Sequence, residues 1–188
     1  MKNLKVTLPF TVILLVAILF VPVSCSKNKN PFEVDPAFSA YVLSFTSGIV
    51  SGATTIQVRL IQEVAGAEPG KTLAENPFSF SPGIEGKAVW VDKQTLQFVP
   101  ETRLKPGTLY EAEFALHQFA DVPSGLKKMT FRFQTMKQYI RFEFNGISPV
   151  NGNDMQWQNV HGIFTTADYA DAASIEELVT FSSLKGKT

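Results

Sequence analysis

The sequence predicts an all-β protein whose strands pack as an antiparallel sandwich. Three observations lead to this fold class. Apolar residues recur with a period of two almost throughout the chain after residue 36, which is the spacing of strands with one wet face. Gly, Pro, Asp and Asn separate the apolar runs, and no helix-length segment lies between them, so antiparallel connections are favoured over parallel ones. A content of 45% hydrophobic residues, with 16 Phe, supplies a core.

Nine segments carry the strand pattern. In chain order they are residues 40–46, 55–60, 78–81, 88–91, 96–99, 110–114, 128–134, 139–144 and 157–164. Residues 48–52 are predicted to be a loop between the first two strands. Six phenylalanines fall on the apolar phase of their strands and are expected in the core: Phe78, Phe80, Phe98, Phe114, Phe131 and Phe133.

The stretch "LKPGTLYEAEF", residues 104–114, predicts how the two sheets are joined. Pro106 and Gly107 form a turn, and Tyr110 follows at the start of an alternating strand. This resembles the tyrosine corner of immunoglobulin-like sandwiches, in which the phenol hydroxyl bonds to an upstream backbone group. We therefore expect an immunoglobulin-like antiparallel sandwich over residues 37–137.

The remaining segment, residues 138–188, has too few elements to close a second sandwich. It contains two or three strands and one short helix, for which Ser174 and Glu177 have capping-box spacing while Asp171 is a competing start. So few strands leave an apolar face that must stay exposed or find a partner. We expect this segment to be the start of a second, incomplete β module.

The N-terminal segment has the layout of a secretory signal. Lys2 and Lys5 precede an uncharged apolar run over residues 6–23, and Ser24 stands before Cys25, the one cysteine of the chain. The tetrad Pro22-Val23-Ser24-Cys25 resembles the lipobox of bacterial lipoproteins, although leucine is usual where Pro22 stands. The resemblance implies a signal peptide over residues 1–24, a lipid on Cys25 that anchors the protein in a membrane, and a polar tether over residues 25–36.

Other interpretations of this segment stay open. The apolar run approaches the roughly 20 residues that span a bilayer, and cleavage by the ordinary signal peptidase would leave a soluble protein. A buried structural thiol is disfavoured, because residues 26–31 are polar. Ser26 in place of aspartate resembles lipoproteins sent to the outer membrane of Gram-negative bacteria. Residues 27–30 lack the acidic residues of a surface-export signal, so the periplasmic side is favoured.

A longer stretch carries a family resemblance. Residues 78–114, "FSFSPGIEGKAVWVDKQTLQFVPETRLKPGTLYEAEF", resemble the immunoglobulin-like module near the start of alpha-2-macroglobulin-like lipoproteins of Gram-negative bacteria. Those proteins similarly show Ser-Pro, a Trp-containing strand, a short turn, a "TLQFVP"-like strand and "LKPGT.Y". Residues 162–181, "GIFTTADYADAASIEELVTF", resemble the opening of their next module. The resemblance implies a non-enzymatic scaffold in the cell envelope, belonging to a protease inhibitor that traps proteases.

The sequence also departs from that family. Its members carry a bait segment and, in many cases, a Cys-x-Glu-Gln thioester, whereas Cys25 is the one cysteine here. Only Cys25, as the lipidated residue, carries over. The resemblance therefore implies that any contact with proteases is made by a longer parent protein, whose further modules would be partners of this one.

Side chains capable of catalysis or metal binding are sparse. His117 and His161 are far apart in sequence and lack a cysteine partner, so no metal site and no cofactor are predicted. The run Gly48-Ile49-Val50-Ser51-Gly52 places its serine wrongly for a nucleophile elbow. Glu111 and Glu113 share a strand face and could suit calcium or acid–base chemistry, but alternating polar residues are also what a half-buried sheet requires. An enzyme is not predicted.

Charge and aromatic residues bear on the remaining partners. Without Lys2 and Lys5 the chain has 15 basic residues against 17 acidic ones, which argues against nucleic acid because phosphates require a basic patch. Trp90 and Trp157 could be exposed platforms for sugar rings. The alternative function is therefore a glycan- or protein-binding lipoprotein of the cell envelope, which a patch of exposed coplanar aromatic rings would favour.

Overall fold

A computed structural model describes residues 30–152 and 154–180, and two four-stranded sheets form its larger part. One sheet has the order β1 (Val42–Phe45), β3 (Ile56–Leu60), β6 (Thr95–Pro100), β5 (Gly86–Trp90). The other has the order β2 (Gly48–Val50), β8 (Met129–Thr135), β7 (Leu109–Phe114), β4 (Phe78–Ser81). Neighbours are antiparallel except β2 and β8, which are parallel. This order is that of an immunoglobulin-like sandwich, so the predicted fold class is confirmed.

The prediction of a loop over residues 48–52 was wrong for its first half. Gly48 has φ 77°, a value that costs glycine nothing and other residues much, and there the chain crosses from one sheet to the other. Residues Gly48–Val50 then pair with β8. Three residues are too few for alternation to be recognised, so the sequence pattern did not indicate this strand.

The core lies between the two sheets and is rich in aromatic rings. Of the six phenylalanines predicted to lie there, five are buried: Phe78, Phe98, Phe114, Phe131 and Phe133. The sixth, Phe80, is half-buried on the edge strand β4, and its ring centroid is 4.6 Å from that of Phe98. Tilted pairs of this kind add about 0.5–1.5 kcal/mol beyond their buried area.

The predicted tyrosine corner is present. The Lys105 N–H donates a hydrogen bond of 3.1 Å to the Tyr110 hydroxyl. The Tyr110 ring is buried and stacks on Phe133 at 5.3 Å between centroids. Gly107, at φ 64°, lies in the turn between Lys105 and Tyr110. The corner fixes the connection from β6 to β7.

The remaining elements form a separate hairpin and a short helix. Strands β9 (Ile140–Asn151) and β10 (Asp154–Thr166) pair antiparallel as a two-stranded sheet. They are longer than predicted, because Gly146 and Pro149 looked like turn residues but lie within β9, where Asn145 is an extra residue in a bulge. Helix α1 (Ala172–Glu176) begins at Asp171, whose carboxylate accepts the Ser174 N–H at 2.9 Å. Of the two predicted starts, Asp171 is therefore the right one.

Candidate interaction surface

One face of the hairpin is apolar and open to solvent. Residues directly opposite each other in an antiparallel pair share a face, and the register places six large apolar side chains on this one. Their exposed fractions run from 40% for Ile140 to 61% for Ile147. We call this set the apolar face: Ile140, Phe142, Phe144, Ile147, Val160 and Phe164. Soluble proteins rarely expose large contiguous apolar patches, so a patch of this kind indicates an interaction site.

Two rings of the apolar face pack against each other, and one of them lies over the backbone of the sheet. Phe142 and Phe164 are cross-strand partners, with ring centroids 4.7 Å apart. The Phe142 ring also covers Gly162, where an added Cβ would overlap it and come 2.8 Å from the Glu143 carbonyl oxygen. The absence of a side chain at Gly162 therefore leaves room for the Phe142 ring in this position.

The outer face of the sandwich is different, because its charges are paired. Arg132 donates to Glu111 at 2.6 Å, and Lys128 donates to Glu113 at 2.6 Å. The predicted location of both carboxylates on one strand face is confirmed. Each has a cation on the neighbouring strand, and exposed pairs of this type contribute about 0–1 kcal/mol. These contacts suit a solvated sheet better than a calcium or acid–base site.

A polar clasp joins the base of the hairpin to the sandwich. It consists of Ser51, Gly52, Gln138 and Asp168. The Asp168 carboxylate accepts the Ser51 hydroxyl at 2.6 Å and the Gly52 N–H at 2.6 Å. The Gln138 side-chain amide accepts the Asp168 N–H at 3.0 Å and donates to its carbonyl oxygen at 3.1 Å. The apolar face is thus held by specific bonds rather than by a simple linker.

Neighbouring groups restrict the clasp further. The Gly52 carbonyl accepts the Leu104 N–H at 2.9 Å, and an added Cβ at Gly52 would lie 3.0 Å from the Leu104 carbonyl oxygen. The Arg103 guanidinium lies 3.7 Å from the centroid of the Tyr169 ring, a cation–π contact.

An open cleft of about 430 Å³ lies beside the clasp, and Pro106, Ile140, Ile175 and Leu178 are among its lining residues.

The clasp is sensitive to acid. The Ser51 hydroxyl, followed by the Gly52 N–H, lowers the pKa of Asp168 below its usual value. A carboxylate with a lowered pKa stabilises the folded form above its unfolded pKa, and this contribution is lost as pH falls through the folded one. The contribution of Asp168 to the clasp should therefore be fully present above about pH 4 and should be lost progressively as the pH falls below that, through the lowered pKa of Asp168.

Replacing Asp168 by asparagine should reproduce the acid effect at neutral pH. Asparagine keeps the size of the side chain but removes the charge that strengthens both bonds. The N–H groups of Gly52 and Tyr169 both donate to this carboxylate, at 2.6 Å and 2.8 Å, and we expect their amide protection to fall by on the order of tenfold. The wild type should converge on the variant as pH drops below about 4. Asp121→Asn, at an exposed aspartate elsewhere on the sandwich, is the matched control, and an equal loss of protection in it would contradict the clasp.

Several predicted residues lie outside the described residues. These are the signal peptide, Cys25 and the start of the tether, which fall within residues 1–29, whereas residues 30–36 of the tether are described. Lipidation of Cys25 stays a prediction. In the part of the chain that is described, no helix has both the length and the apolar character to cross a bilayer.

The two histidines are not brought together. His117 Nδ1 lies 3.0 Å from the Lys127 carbonyl oxygen, and His161 Nε2 lies 2.7 Å from the Ser148 hydroxyl on the hairpin. Ser51 donates to Asp168 and not to a histidine. Across residues 30–152 and 154–180, no three His, Cys, Asp or Glu side chains gather as a metal site would require.

The two tryptophans differ. Trp157 is 69% exposed, as an aromatic platform requires. Trp90 was wrongly considered as a platform, since it is 5% exposed and meets Phe119 edge-to-face at 5.6 Å. The alternation of β5 turns Trp90 inward together with Ala88. The two rings therefore cannot form one sugar-binding surface.

Sequence reasoning did not find the clasp. Its Ser51–Asp168 bond joins residues 117 positions apart, and no local motif surrounds either residue. Asp168 follows the last hairpin strand as an ordinary turn residue would. Only the tertiary contact distinguishes it.

Comparison with known proteins gives no family for this chain. No protein-family model and no curated protein matches it. Similar solved structures include L,D-transpeptidase 3 from Mycobacterium tuberculosis with a faropenem-derived adduct, at 15% identity and TM-score 0.37, covering 53% of this chain and 39% of that one. An L,D-transpeptidase from Mycobacterium tuberculosis H37Rv matches at 19% identity and TM-score 0.34, covering 56% and 41%. This chain thus spans about two-fifths of their length, and similarity this weak carries no functional argument.

Proposed function

We propose that the chain is a non-enzymatic, lipid-anchored scaffold module from the N-terminal region of an alpha-2-macroglobulin-like protease-trapping protein. The sandwich serves as a stalk near the membrane. The hairpin begins a second β module that later segments of the parent protein complete. Proteases are contacted by the parent protein and not by this module.

The observation that carries the proposal is the open apolar face at the end of a well-packed sandwich. A two-stranded hairpin is at best marginal in water unless further strands or a packed layer cover it. Here it exposes Phe144 at 57% and Ile147 at 61%. The clasp nevertheless holds its base to the sandwich through Asp168. A scaffold that begins its neighbouring module requires this combination.

The residues behind the family resemblance have structural roles, which suits a scaffold. Residues 78–114 form β4 to β7 and the connections between them. Within them Trp90, Phe98 and Phe114 are core residues, and Tyr110 makes the corner. A shared pattern made of core and corner residues supports a shared architecture. It supplies no catalytic group.

The membrane anchor is part of the proposal. A lipid on Cys25 followed by the polar tether would hold the sandwich close to the bilayer, on the periplasmic side of a Gram-negative outer membrane. Two or three acyl chains anchor firmly, because each buried methylene contributes about 0.8 kcal/mol. The anchor explains why the one cysteine stands at residue 25.

The alternative function keeps one supporting observation. The exposed side chain of Trp157 would suit a protein-binding lipoprotein of the cell envelope. Binding of glycans is less well supported, because burial of Trp90 removes half of the platform that it would need.

Sequencing the gene downstream of the Thr188 codon tests the parent protein. We expect the reading frame to continue into further β modules. In that longer chain Phe144→Lys, on the apolar face, should lower the denaturation midpoint of the second module, whereas Glu143→Lys, on the opposite face, should leave it nearly unchanged. An immediate stop codon, or equal effects of the two lysines, would contradict the proposal.

A further inference from the structure

One hydrogen bond at the base of the hairpin shows which backbone groups of each strand face away from the other strand. The Ala167 N–H donates to the Tyr139 carbonyl oxygen at 3.1 Å. The backbone N–H and C=O groups of residues 139 and 167 therefore face the partner strand within the hairpin. Backbone direction alternates along an antiparallel strand. On β10, the N–H and C=O groups of Val160, Gly162 and Phe164 therefore face away from β9.

The free edge of β9 is protected against pairing. Its middle holds the bulge at Asn145, and its outer half contains Pro149, which has no N–H to donate. Its inner half presents Arg141 and Glu143, both exposed. Bulges, prolines and charges are the devices by which edge strands avoid other strands.

From Asn159 to Thr166 the free edge of β10 lacks these devices. These residues include no Asp, Glu, Lys, Arg or Pro. The bulge in this stretch has its extra residue on the other strand, and the second register shift, between Asp154 and Gln158, lies before it. An uncharged and regular edge is a template for a further strand. The contrast between two edges of one hairpin indicates that β10 is the docking edge.

We propose that β10 pairs antiparallel with β10 of a second copy of this chain, about a two-fold axis at Gly162. In this register Val160 lies opposite Phe164 of the second copy, and Ile163 lies opposite His161. Asn159 lies opposite Thr165. Apolar residues therefore meet on the apolar face, whereas the opposite face pairs two polar residues at Asn159 and Thr165 and an apolar with a polar residue at Ile163 and His161. Val160, Gly162 and Phe164 each donate and accept one backbone hydrogen bond across the axis.

Two features favour a second copy over an unlike strand. No charged residue in this part of β10 repels its own copy or selects a different partner. Residues opposite each other share a face, so the two apolar faces join into one four-stranded sheet. The inference rests on the proposed function, in which later segments cover the apolar face, and it adds a partner for the edge of β10.

Disulfide trapping in membranes from cells expressing the full chain tests the pairing. Two differently tagged forms are coexpressed, one with Val160→Cys and one with Phe164→Cys. Facing residues of such a pair lie about 5.5 Å apart, within disulfide range, whereas two copies of residue 160 lie at least about 13 Å apart. We expect mixed-tag dimers at about tenfold or more over either form alone, with the unsubstituted chain giving the Cys25 background.

The opposite edge of the hairpin supplies the control. Ile140→Cys and Phe144→Cys would face each other if β9 paired with itself about Phe142, and this pair should give background only. Untrapped chains extracted in mild detergent should copurify through their two tags. Val160→Pro should abolish copurification, whereas Ile147→Pro, directly opposite Val160, should preserve it.

Three results would overturn the inference: no trapping above background, trapping through β9 instead, or copurification that survives Val160→Pro. None of them would by itself overturn the proposed function. If Phe144→Lys still destabilised the longer chain while β10 failed to trap, later segments of the parent protein would still complete the second module, and only the pairing through β10 would be overturned.

Discussion

Residues 37–135 produced alone should unfold cooperatively, whereas residues 139–188 produced alone should be disordered. The first segment contains all eight strands of the sandwich and its buried core. The second has two strands with an exposed apolar face and a five-residue helix, and neither a lone hairpin nor a short helix is stable in water. Far-UV circular dichroism and urea denaturation of the two fragments measure this directly.

The full chain gives a second measurement of the same division. Amide exchange should show strong protection before residue 135 and weak protection after it, apart from bonds near the clasp. Phe98→Ala is a positive control in the sandwich fragment, since Phe98 is fully buried and truncation of such a ring costs about 3–5 kcal/mol. Uniform protection across both parts would show one domain and would contradict the division at residues 137 and 138.

Cys25→Ser should abolish lipid labelling and release the protein from the membrane fraction. The thioether requires sulfur, and serine keeps the size of the residue without offering it. Cells grown with a fatty-acid analogue should label the wild type and not the variant, and fractionation should move the variant out of the membrane. Retention of an uncleaved signal helix would instead keep the variant in the membrane without label.

A matched control distinguishes loss of the thiol from a disturbance of the cleavage region. Ser26→Ala changes the residue after Cys25 and should keep both the label and the membrane location. Equal labelling of wild type and Cys25→Ser would contradict lipidation and leave Cys25 without a role.

Most of the sandwich could be predicted because its strands alternate clearly. Phe78, Phe98, Phe114, Phe131 and Phe133 fall on apolar phases and are buried, and the turn before Tyr110 indicated the corner. The short strand Gly48–Val50 was missed, because its pairing depends on the backbone at Gly48 and on a distant strand. Alternation is a local signal, and it does not report a crossing between sheets.

The interaction surface could be predicted only in part. The alternation of Ile140, Phe142 and Phe144 indicated an apolar face in need of a partner, and these residues are exposed. The clasp could not be predicted, because Ser51 and Asp168 meet only after both elements have folded. Trp90 shows the same limit, since the class of residue suggested a binding platform while the strand phase buried it.

The parallel pairing of β2 with β8 has a mechanical consequence. These neighbouring strands come from the first and last parts of the sandwich's sequence, and Gly48, Ile49 and Val50 are in register with Phe133, Gln134 and Thr135. The Met136 N–H extends the ladder to the Val50 carbonyl at 2.9 Å. Tension applied between the N-terminal tether and the hairpin pulls the two strands past each other in shear, so their hydrogen bonds resist together and not one after another. A sandwich connected in this way should resist unfolding when it is pulled between these two points.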